Sequence, residues 1–275
     1  MPTLDSLRPT RYNYPTMLTP FHEGNYEFLP GSATFSSGAR AVLGYAMVRA
    51  SFFRVLPLAQ AFAAMQQHLA GLGRPMTAVA GIELRSPKPF SFAGFGGFNK
   101  GYIELLQQYG LQSMEGKGVA ARSNLAPEPL SITPSEPGVL AFCYTVPGNP
   151  ARPQFVAAGS GELRPAASGG SGAATSPRNL IVRLGETSPD AMREKAIYCM
   201  NAVADELKGL GVGWEDCTGV NLYTVHSMDS YLVNDILKPI GATGIQGVHW
   251  YYTRPPIEEI EFEVDARGVS QEIIL

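Results

Sequence analysis

The feature that most constrains the fold of this chain is an internal repeat. The segment Leu58–Leu84 recurs 138 residues later as Ala196–Leu222, in a chain of 275 residues. In both copies, apolar residues spaced for one face of a helix lead into the sequence Leu-x-Gly-Leu-Gly, and a second apolar run follows. Because a long repeat fixes domain count more firmly than any short motif, the sequence predicts two similar domains. The proline-rich junction Pro147–Gln154 stops both helix and sheet pairing, which places the domains at residues 1–148 and 149–275.

Hydrophobic periodicity predicts the order β-α-β-α-β for the first half, behind an entry arm at residues 1–38 that includes a possible hairpin. Spacing of i, i+4, i+7 and i+11 indicates an amphipathic helix, and short apolar runs rich in β-branched residues indicate strands. The glycine run Phe92–Gly97 is interpreted as a turn before a helix. The predicted elements are strands at Ala41–Ala50, Ala78–Leu84 and Val139–Val146, and helices at Leu58–Leu69 and Phe98–Tyr109.

The second half repeats this outline after a short strand and a Ser-Gly turn in Phe155–Leu163. Residues 165–178 are low in complexity and are predicted to be a surface insertion or a lid. The remaining predicted elements are a strand at Asn179–Leu184, a helix at Ala191–Leu207, a strand at Cys217–Val225, a helix at Ser230–Lys238, and a closing hairpin of Val248–Tyr252 with Ile260–Ala266. Each half therefore supplies a mixed sheet with two helices on one face, so the fold class is α+β.

Composition excludes several classes of function. The net charge is −3, charged residues make up 16% of the chain, and Lys and Arg form no run, so neither a nucleic-acid nor an anionic-membrane surface is expected. The sequence holds no signal-peptide pattern and no apolar stretch of membrane-spanning length, so we expect a soluble, cytoplasmic protein. The four histidines are scattered and the three cysteines lack metal-ligand spacing, so no metal site is predicted. Phosphate-binding glycine motifs are also missing.

The order of motifs in the second half resembles the RidA/YjgF family of enamine and imine deaminases. The similarity rests on the helix end Leu207-x-Gly209-Leu210-Gly211, the pair Val233-Asn234, and the terminal run Ile260-Glu261-Phe262-Glu263-Val264. The first half carries the same outline more faintly, with Phe98-Asn99 and Ala121-Arg122-Ser123. The resemblance implies two tandem domains of the RidA-like, or chorismate-mutase-like, fold. Family members mostly carry one copy and form trimers, so it also implies a homotrimer.

The resemblance implies a catalytic pair, because family members bind a substrate carboxylate with an arginine and position water with a glutamate on the last strand. The first copy keeps the arginine as Arg122 but has Leu140 in place of the glutamate. The second copy keeps the glutamate as Glu261 but has Gln246 in place of the arginine. A composite site is therefore expected, with Arg122 and Glu261 as its catalytic residues. The alternative for Glu261 is a solvated face, since Ile260–Asp265 alternates as a strand with one wet side does.

Further candidates for substrate binding each have a plainer alternative. Asn99 and Asn234 either cap helices or aim an amide at the cleft. Ser160 and Gly161 either hold a carboxylate or form an ordinary turn. His249 is either an acid or a member of an aromatic cluster. A substrate with two carboxylates also requires a second cation, for which the candidates are Arg49, Arg85, Arg183 and Arg254.

The chain is nearer in length to tandem deaminases of 2-aminomuconate and 2-amino-5-chloromuconate than to chorismate-cleaving hydrolases. The resemblance therefore implies a hydrolytic deaminase of aromatic catabolism that needs no cofactor. It would convert an enamine or imine dicarboxylate to a 2-hydroxy or 2-oxo acid and ammonia. The alternatives are an enol-ether hydrolase of the chorismate type and a non-catalytic protein that binds small carboxylates or other proteins. The identity of the substrate, the second cation and the role of loop 165–178 stay open at this stage.

Overall fold

The computed structural model describes residues 18–128, 134–165 and 176–275. Within these ranges no helix is long and apolar enough to cross a membrane. The strands and α-helices are β1 (Thr19–Phe21), β2 (Tyr26–Leu29), β3 (Gly38–Ala41), β4 (Tyr45–Pro57), α1 (Leu58–Gly71), β5 (Val79–Arg85), α2 (Phe92–Gln108), β6 (Ala121–Pro127), β7 (Gly138–Pro147), β8 (Phe155–Ala157), β9 (Ser160–Gly161), α3 (Pro189–Gly209), β10 (Gly219–Tyr223), β11 (His249–Tyr251), β12 (Thr253–Arg254), β13 (Glu263–Gly268) and β14 (Gln271–Ile274).

The strands form two mixed sheets, so the α+β class predicted from the sequence is confirmed. The larger sheet has the order β1-β2-β3-β8-β13-β10-β11, with β9 also paired to β13. The smaller sheet has the order β12-β6-β5-β7-β4-β14. Each sheet takes strands from both sides of the predicted boundary at 148/149: β1 to β3 belong to the larger sheet, while β12 and β14 belong to the smaller one. The division into two domains stays a prediction.

The repeated segment folds in the same way at both of its positions. Helix α1 leads through a 3-10 turn at Met76–Ala78 into β5, and α3 leads through a 3-10 turn at Trp214–Asp216 into β10. Gly73 and Gly211 follow the two helices with φ values of +67° and +70°, a conformation that favours glycine. Of the predicted inward-facing positions, Leu58 is half-buried. The others are buried, and they are Phe62, Met65 and Leu69 in the first copy and Ala196, Met200, Val203 and Leu207 in the second.

The two sheets pack face to face with the helices outside. Helices α1 and α2 cover the outer face of the smaller sheet through one apolar core. Helix α3 and a short π-helix at Leu232–Leu237 cover the outer face of the larger sheet through another. The inner faces, which the sequence leaves without a partner, therefore cover each other within one chain. The hairpin expected in the entry arm is present as β1 and β2; residues 1–17 lie outside the described ranges.

A layer of charged side chains lies between the sheets. Arg49 of β4 forms a bidentate pair with Glu83 of β5, at 2.5 and 2.8 Å. Burial acts to raise the pKa of Glu83, but the hydrogen bonds and charge of Arg49 outweigh it and lower that pKa to about 2. Glu272 of β14 accepts hydrogen bonds from Arg49 and from Arg267 of β13. Paired buried charges of this kind require good hydrogen-bond geometry, so this layer constrains the position of the two sheets relative to each other.

Three predicted elements of the second half differ from the structure. Asn179–Leu184 is not a strand, because Pro177–Leu180 forms a 3-10 helix with proline at its start. Val248–Tyr252 and Ile260–Ala266 do not form a hairpin, because β10 lies between β11 and β13 and pairs with both. The helix predicted at Ser230–Lys238 is a single π-helical segment. The insertion at 165–178 falls mainly on residues outside the described ranges.

Two elements of the first half also differ. The apolar run Ala41–Ala50 is divided between β3 and β4 by a turn, in which Gly44 has a φ of +85°. Helix α2 begins at Phe92 rather than Phe98, so the glycine run is helical and not a turn. Ser91 caps this helix, since its hydroxyl accepts a hydrogen bond from the Gly94 N–H at 3.1 Å. A serine cap satisfies one of the free N–H groups of the first turn and so favours an earlier start.

Candidate functional site

A cavity of about 500 Å³ lies beside β6, β9 and β13. Helices α2 and α3 and two loops, one between β2 and β3 and one before β13, complete its lining. Both halves of the chain contribute to it. The lining residues that carry polar side chains are Ser32, Ser37, Arg122, Asn124, Ser160, Glu206 and Glu263.

Arg122 supplies the positive charge of the cavity. Its guanidinium donates a 2.8 Å hydrogen bond to Asn99 of α2 and lies 4.8 Å from the ring centroid of Phe35 and 5.3 Å from those of Phe95 and Tyr102. Only 6% of the residue is exposed, and burial lowers its pKa to about 10, so it remains a cation at neutral pH. Among the described residues no carboxylate forms an ion pair with it, which leaves the guanidinium fork available to an anion.

Glu263, the first residue of β13, supplies a carboxyl group to the same cavity. Burial raises the pKa of Glu263 well above its ordinary value, and the nearby negative charge of Asp265 raises it further. The side chain lies directly over Gly159, where a Cβ atom would stand 2.0 Å from Glu263 Oε1. Glu263 therefore holds its proton at pH values at which a solvated glutamate is ionised, and it can act as a proton donor.

A second carboxyl group lines the cavity on the α3 side. Glu206 is 3% exposed, and its Oε1 accepts a 2.8 Å hydrogen bond from the hydroxyl of Ser160. The adjacent Gly161 pairs with Glu263 across the β9–β13 ladder. The site thus combines one cation, two carboxyl groups, three hydroxyls and an amide within a largely apolar lining, which is a composition suited to a small polar ligand.

The structure places Glu261 outside this cavity. Its carboxylate bonds to His226 at 2.9 Å and to Arg254 at 3.0 Å, and it precedes β13 rather than lying on it. The run Ile260–Asp265 is therefore not a strand with one wet face: β13 begins at Glu263, and both Glu263 and Asp265 are buried. The carboxyl group that accompanies Arg122 in the cavity is two residues further along.

Of the other residues chosen from the sequence, the structure brings Asn99, Ser160 and Gly161 to Arg122 and its cavity, and leaves three elsewhere. Asn234 is exposed and accepts a hydrogen bond from Lys238. Gln246 is exposed at the end of a 3-10 helix. His249 is exposed on β11, with its Nδ1 3.3 Å from Asn221.

Strand register also changes which residue corresponds to Arg122 in the second copy. Arg122 pairs with Ile82 and Ser123 with Glu83, whereas His249 pairs with Asn221, the repeat equivalent of Glu83. This register puts His249 at the position of Ser123, and hence Val248, rather than Gln246, at that of Arg122.

Sequence reasoning missed Glu263 and Glu206. Glu263 stands in the same alternating run as Glu261, so both were visible as candidates. Glu206 interrupts the apolar face of α3 one residue before Leu207, and a carboxyl group at an inward-facing helix position is itself a signal of function. Within the described ranges no group of three or more His, Cys, Asp or Glu residues could hold a metal ion. The absence of a metal or cofactor from the reaction stays a prediction.

Comparison with known proteins gives three findings. Residues 18–273 match the family model described as 2-aminomuconate deaminase CnbZ. A protein of Comamonas testosteroni named 2-amino-5-chloromuconate deaminase is 38% identical over 257 residues, which cover 93% of this chain and 98% of that protein. A crystal structure of a chorismatase aligns with a TM-score of 0.42 and 12% identity, covering 88% of this chain and 79% of that one.

Proposed function

The chain belongs to the 2-aminomuconate deaminase family, and we propose that it is a hydrolase that releases ammonia from 2-aminomuconate or 2-amino-5-chloromuconate in aromatic catabolism. The product is the 2-oxo acid or its 2-hydroxy tautomer. The observation that carries the proposal is the buried Arg122, which has no carboxylate partner among the described residues, in one cavity with the buried, proton-holding Glu263. A cation in such a place favours a substrate carboxylate.

Arg122 binds the carboxylate at C1, next to the amino group. Its guanidinium presents parallel N–H donors that match the two oxygens of a carboxylate. The hydrogen bond to Asn99 and the three surrounding aromatic rings hold the guanidinium in place before the substrate arrives. A preorganised cation reduces the free energy spent on ordering the site when the substrate binds.

Glu263 transfers protons in both directions. It first protonates a carbon of the enamine, which turns the C2–N bond into an iminium and leaves Glu263 as a carboxylate. The carboxylate then takes a proton from water as the water oxygen bonds to C2, giving a carbinolamine. The C–N bond breaks as the C2 carbonyl forms, and the hydroxyl proton leaves with the nitrogen as ammonia. One general acid–base group contributes roughly 10²- to 10⁴-fold to such a reaction.

We also propose that the two halves are tandem RidA-like domains that have divided one site between them. The repeated helix–turn–strand unit and the pairing of Arg122 from one half with Glu263 from the other support this. A homotrimer remains the proposed assembly, and light scattering at micromolar concentration tests it directly. A monomer at that concentration would contradict the assembly without affecting the proposed reaction.

Ammonia release tests the proposed reaction. Purified protein is incubated with 2-aminomuconate, and ammonia is measured against loss of the diene absorbance. Arg122→Met removes the carboxylate-binding group and is expected to abolish turnover. Arg152→Met is the matched control, because the side chain of Arg152 is 65% exposed and lies away from the cavity. Equal turnover by the two variants, or pyruvate release from chorismate in place of deamination, would overturn the proposal.

A further inference from the structure

A substrate with two carboxylates leaves one of them without a cation in this cavity. Arg122 is the one arginine or lysine among the described lining residues. The four arginines that the sequence offers for the second carboxylate all pair with acidic residues outside the cavity. These pairs are Arg49 with Glu83, Arg85 with Glu83, Arg183 with Glu186, and Arg254 with Glu128. Among the residues that the structure describes, only neutral donors of the lining are left for the second carboxylate.

Asn124 lies on the same face of β6 as Arg122, two residues further along. The two residues pair with Leu84 and Ile82 of β5, respectively, and both line the cavity. Because a strand rises about 3.3 Å per residue, the two side chains leave the backbone roughly 6.6 Å apart. This spacing is set by the backbone of β6, which is paired with β5 at both residues.

The amide of Asn124 is held by one hydrogen bond and retains an unused donor. The buried hydroxyl of Ser86 donates to Asn124 Oδ1 at 2.9 Å, which orients the amide. Asn124 is 3% exposed, and its Nδ2 has no hydrogen-bond partner among the residues that the structure describes. A buried donor without a partner destabilises a folded protein, and native structures rarely keep one without a reason. Asn124 lines the cavity, so a ligand atom that reached this donor would complete its hydrogen bonding.

We propose that Asn124 binds the carboxylate at the far end of the substrate, so that Arg122 and Asn124 together select six-carbon dicarboxylates. This inference rests on the proposed function and identifies the residue of the same site that binds the second carboxylate of the substrate. Three bonds of an extended chain span about 3.8 Å, so the five bonds between the two carboxyl carbons of a hexadienedioate span about 6.3 Å. That length is close to the roughly 6.6 Å that separates the two residues along the backbone of β6.

Two stable ligands of equal chain length test the proposal. Muconate has a carboxylate at each end, whereas sorbate (2,4-hexadienoate) has a methyl group in place of one carboxylate, and neither carries the reactive amino group. Binding is measured by calorimetry for the wild type and for Asn124→Ala, Asn124→Asp and Arg122→Met. The wild type is expected to bind muconate more tightly than sorbate. Asn124→Ala should lower the affinity for muconate about tenfold, equivalent to about 1.4 kcal/mol. Its affinity for sorbate should equal that of the wild type.

The other variants separate recognition from folding. Asn124→Asp keeps an acceptor for Ser86 but repels a carboxylate. It should therefore lower the affinity for muconate more than Asn124→Ala does, and leave the affinity for sorbate unchanged. Arg122→Met should weaken both ligands. The proposal is overturned if the Asn124 variants weaken sorbate as much as muconate, or weaken neither. If Asn124 discriminates the ligands but the wild type releases no ammonia from 2-aminomuconate, the dicarboxylate site stands and the deaminase proposal fails.

Discussion

At the scale of single residues, the decisive distinction is between Glu261 and Glu263. Alternation along a strand places residues i and i+2 on the same side. The sequence pattern therefore makes both glutamates equally good candidates for the carboxyl group of the site. The contacts that separate them are long-range. Gly159 lies beneath the Glu263 carboxyl group, while His226 and Arg254 pair with Glu261. Local sequence therefore identifies the run that carries the carboxyl group but cannot choose the residue.

Replacing Glu263 by Gln is expected to reduce turnover of 2-aminomuconate by roughly 10²- to 10⁴-fold, the usual contribution of a general acid–base group. The amide keeps the size of the side chain but cannot exchange the proton. Steady-state ammonia release measures the change in kcat. Glu261→Gln is the matched control, and it should retain turnover because Glu261 lies outside the cavity. The assignment fails if Glu261→Gln is the inactive variant of the two.

Glu263→Gln should also change how the stability of the folded protein depends on pH. Because burial raises the pKa of Glu263 in the folded state, the folded chain binds this proton more tightly than the unfolded chain does. The resulting stability is fully present below the ordinary glutamate pKa and is lost as pH rises through the raised value. Glu263→Gln does not ionise, so its melting temperature should fall less than that of the wild type between acidic and alkaline pH. Parallel curves for the two proteins would contradict the buried, protonated state.

At the scale of secondary-structure elements, the sequence predicts the repeated unit well and α2 poorly. The helix–turn–strand segments have strong periodicity, apolar inward faces and terminating glycines, and these local signals agree with tertiary packing. Helix α2 contains Gly94, Gly96, Gly97 and Gly101, which favour turns when read alone. Tertiary contacts override that preference, because Phe90, Phe95, Phe98 and Tyr102 stack along its buried side.

The glycines on the outer side of α2 are expected to weaken the helix. A Cβ atom at Gly97 would meet nothing within 4 Å, so Gly97→Ala should raise the free energy of unfolding by about 0.5–1 kcal/mol. Denaturant titration measures the change. Gly159→Ala is the contrasting substitution, since its Cβ would displace the Glu263 carboxyl group and should reduce deaminase activity. A destabilising Gly97→Ala would mean that the outer face of α2 contacts something beyond this chain.

At the scale of the whole molecule, the duplication does not yield two separate sheets. Strand β3 pairs with β8, and β14 pairs with β4, so strands from each half complete the sheet of the other. The sequence could not reveal these pairings, because they join residues more than 100 positions apart and leave no local periodicity. The composite character of the site has the same origin. Arg122, packed against α2 on the smaller sheet, and Glu263, at the start of β13 in the larger sheet, line one cavity only because both halves fold together.

Fragments divided at the predicted boundary should therefore not fold alone. Residues 149–275 without β1 to β3 would expose the edge of β8 and the buried face that carries Glu263, Asp265 and Arg267. Residues 1–148 would lose β12 and β14 and the Glu272 partner of Arg49. Each fragment is expected to show little cooperative thermal unfolding by circular dichroism, and mixing the two should restore both the transition and ammonia release. Cooperative unfolding of either fragment by itself would instead establish two autonomous domains, with strand exchange as a later addition to a fold that is already stable.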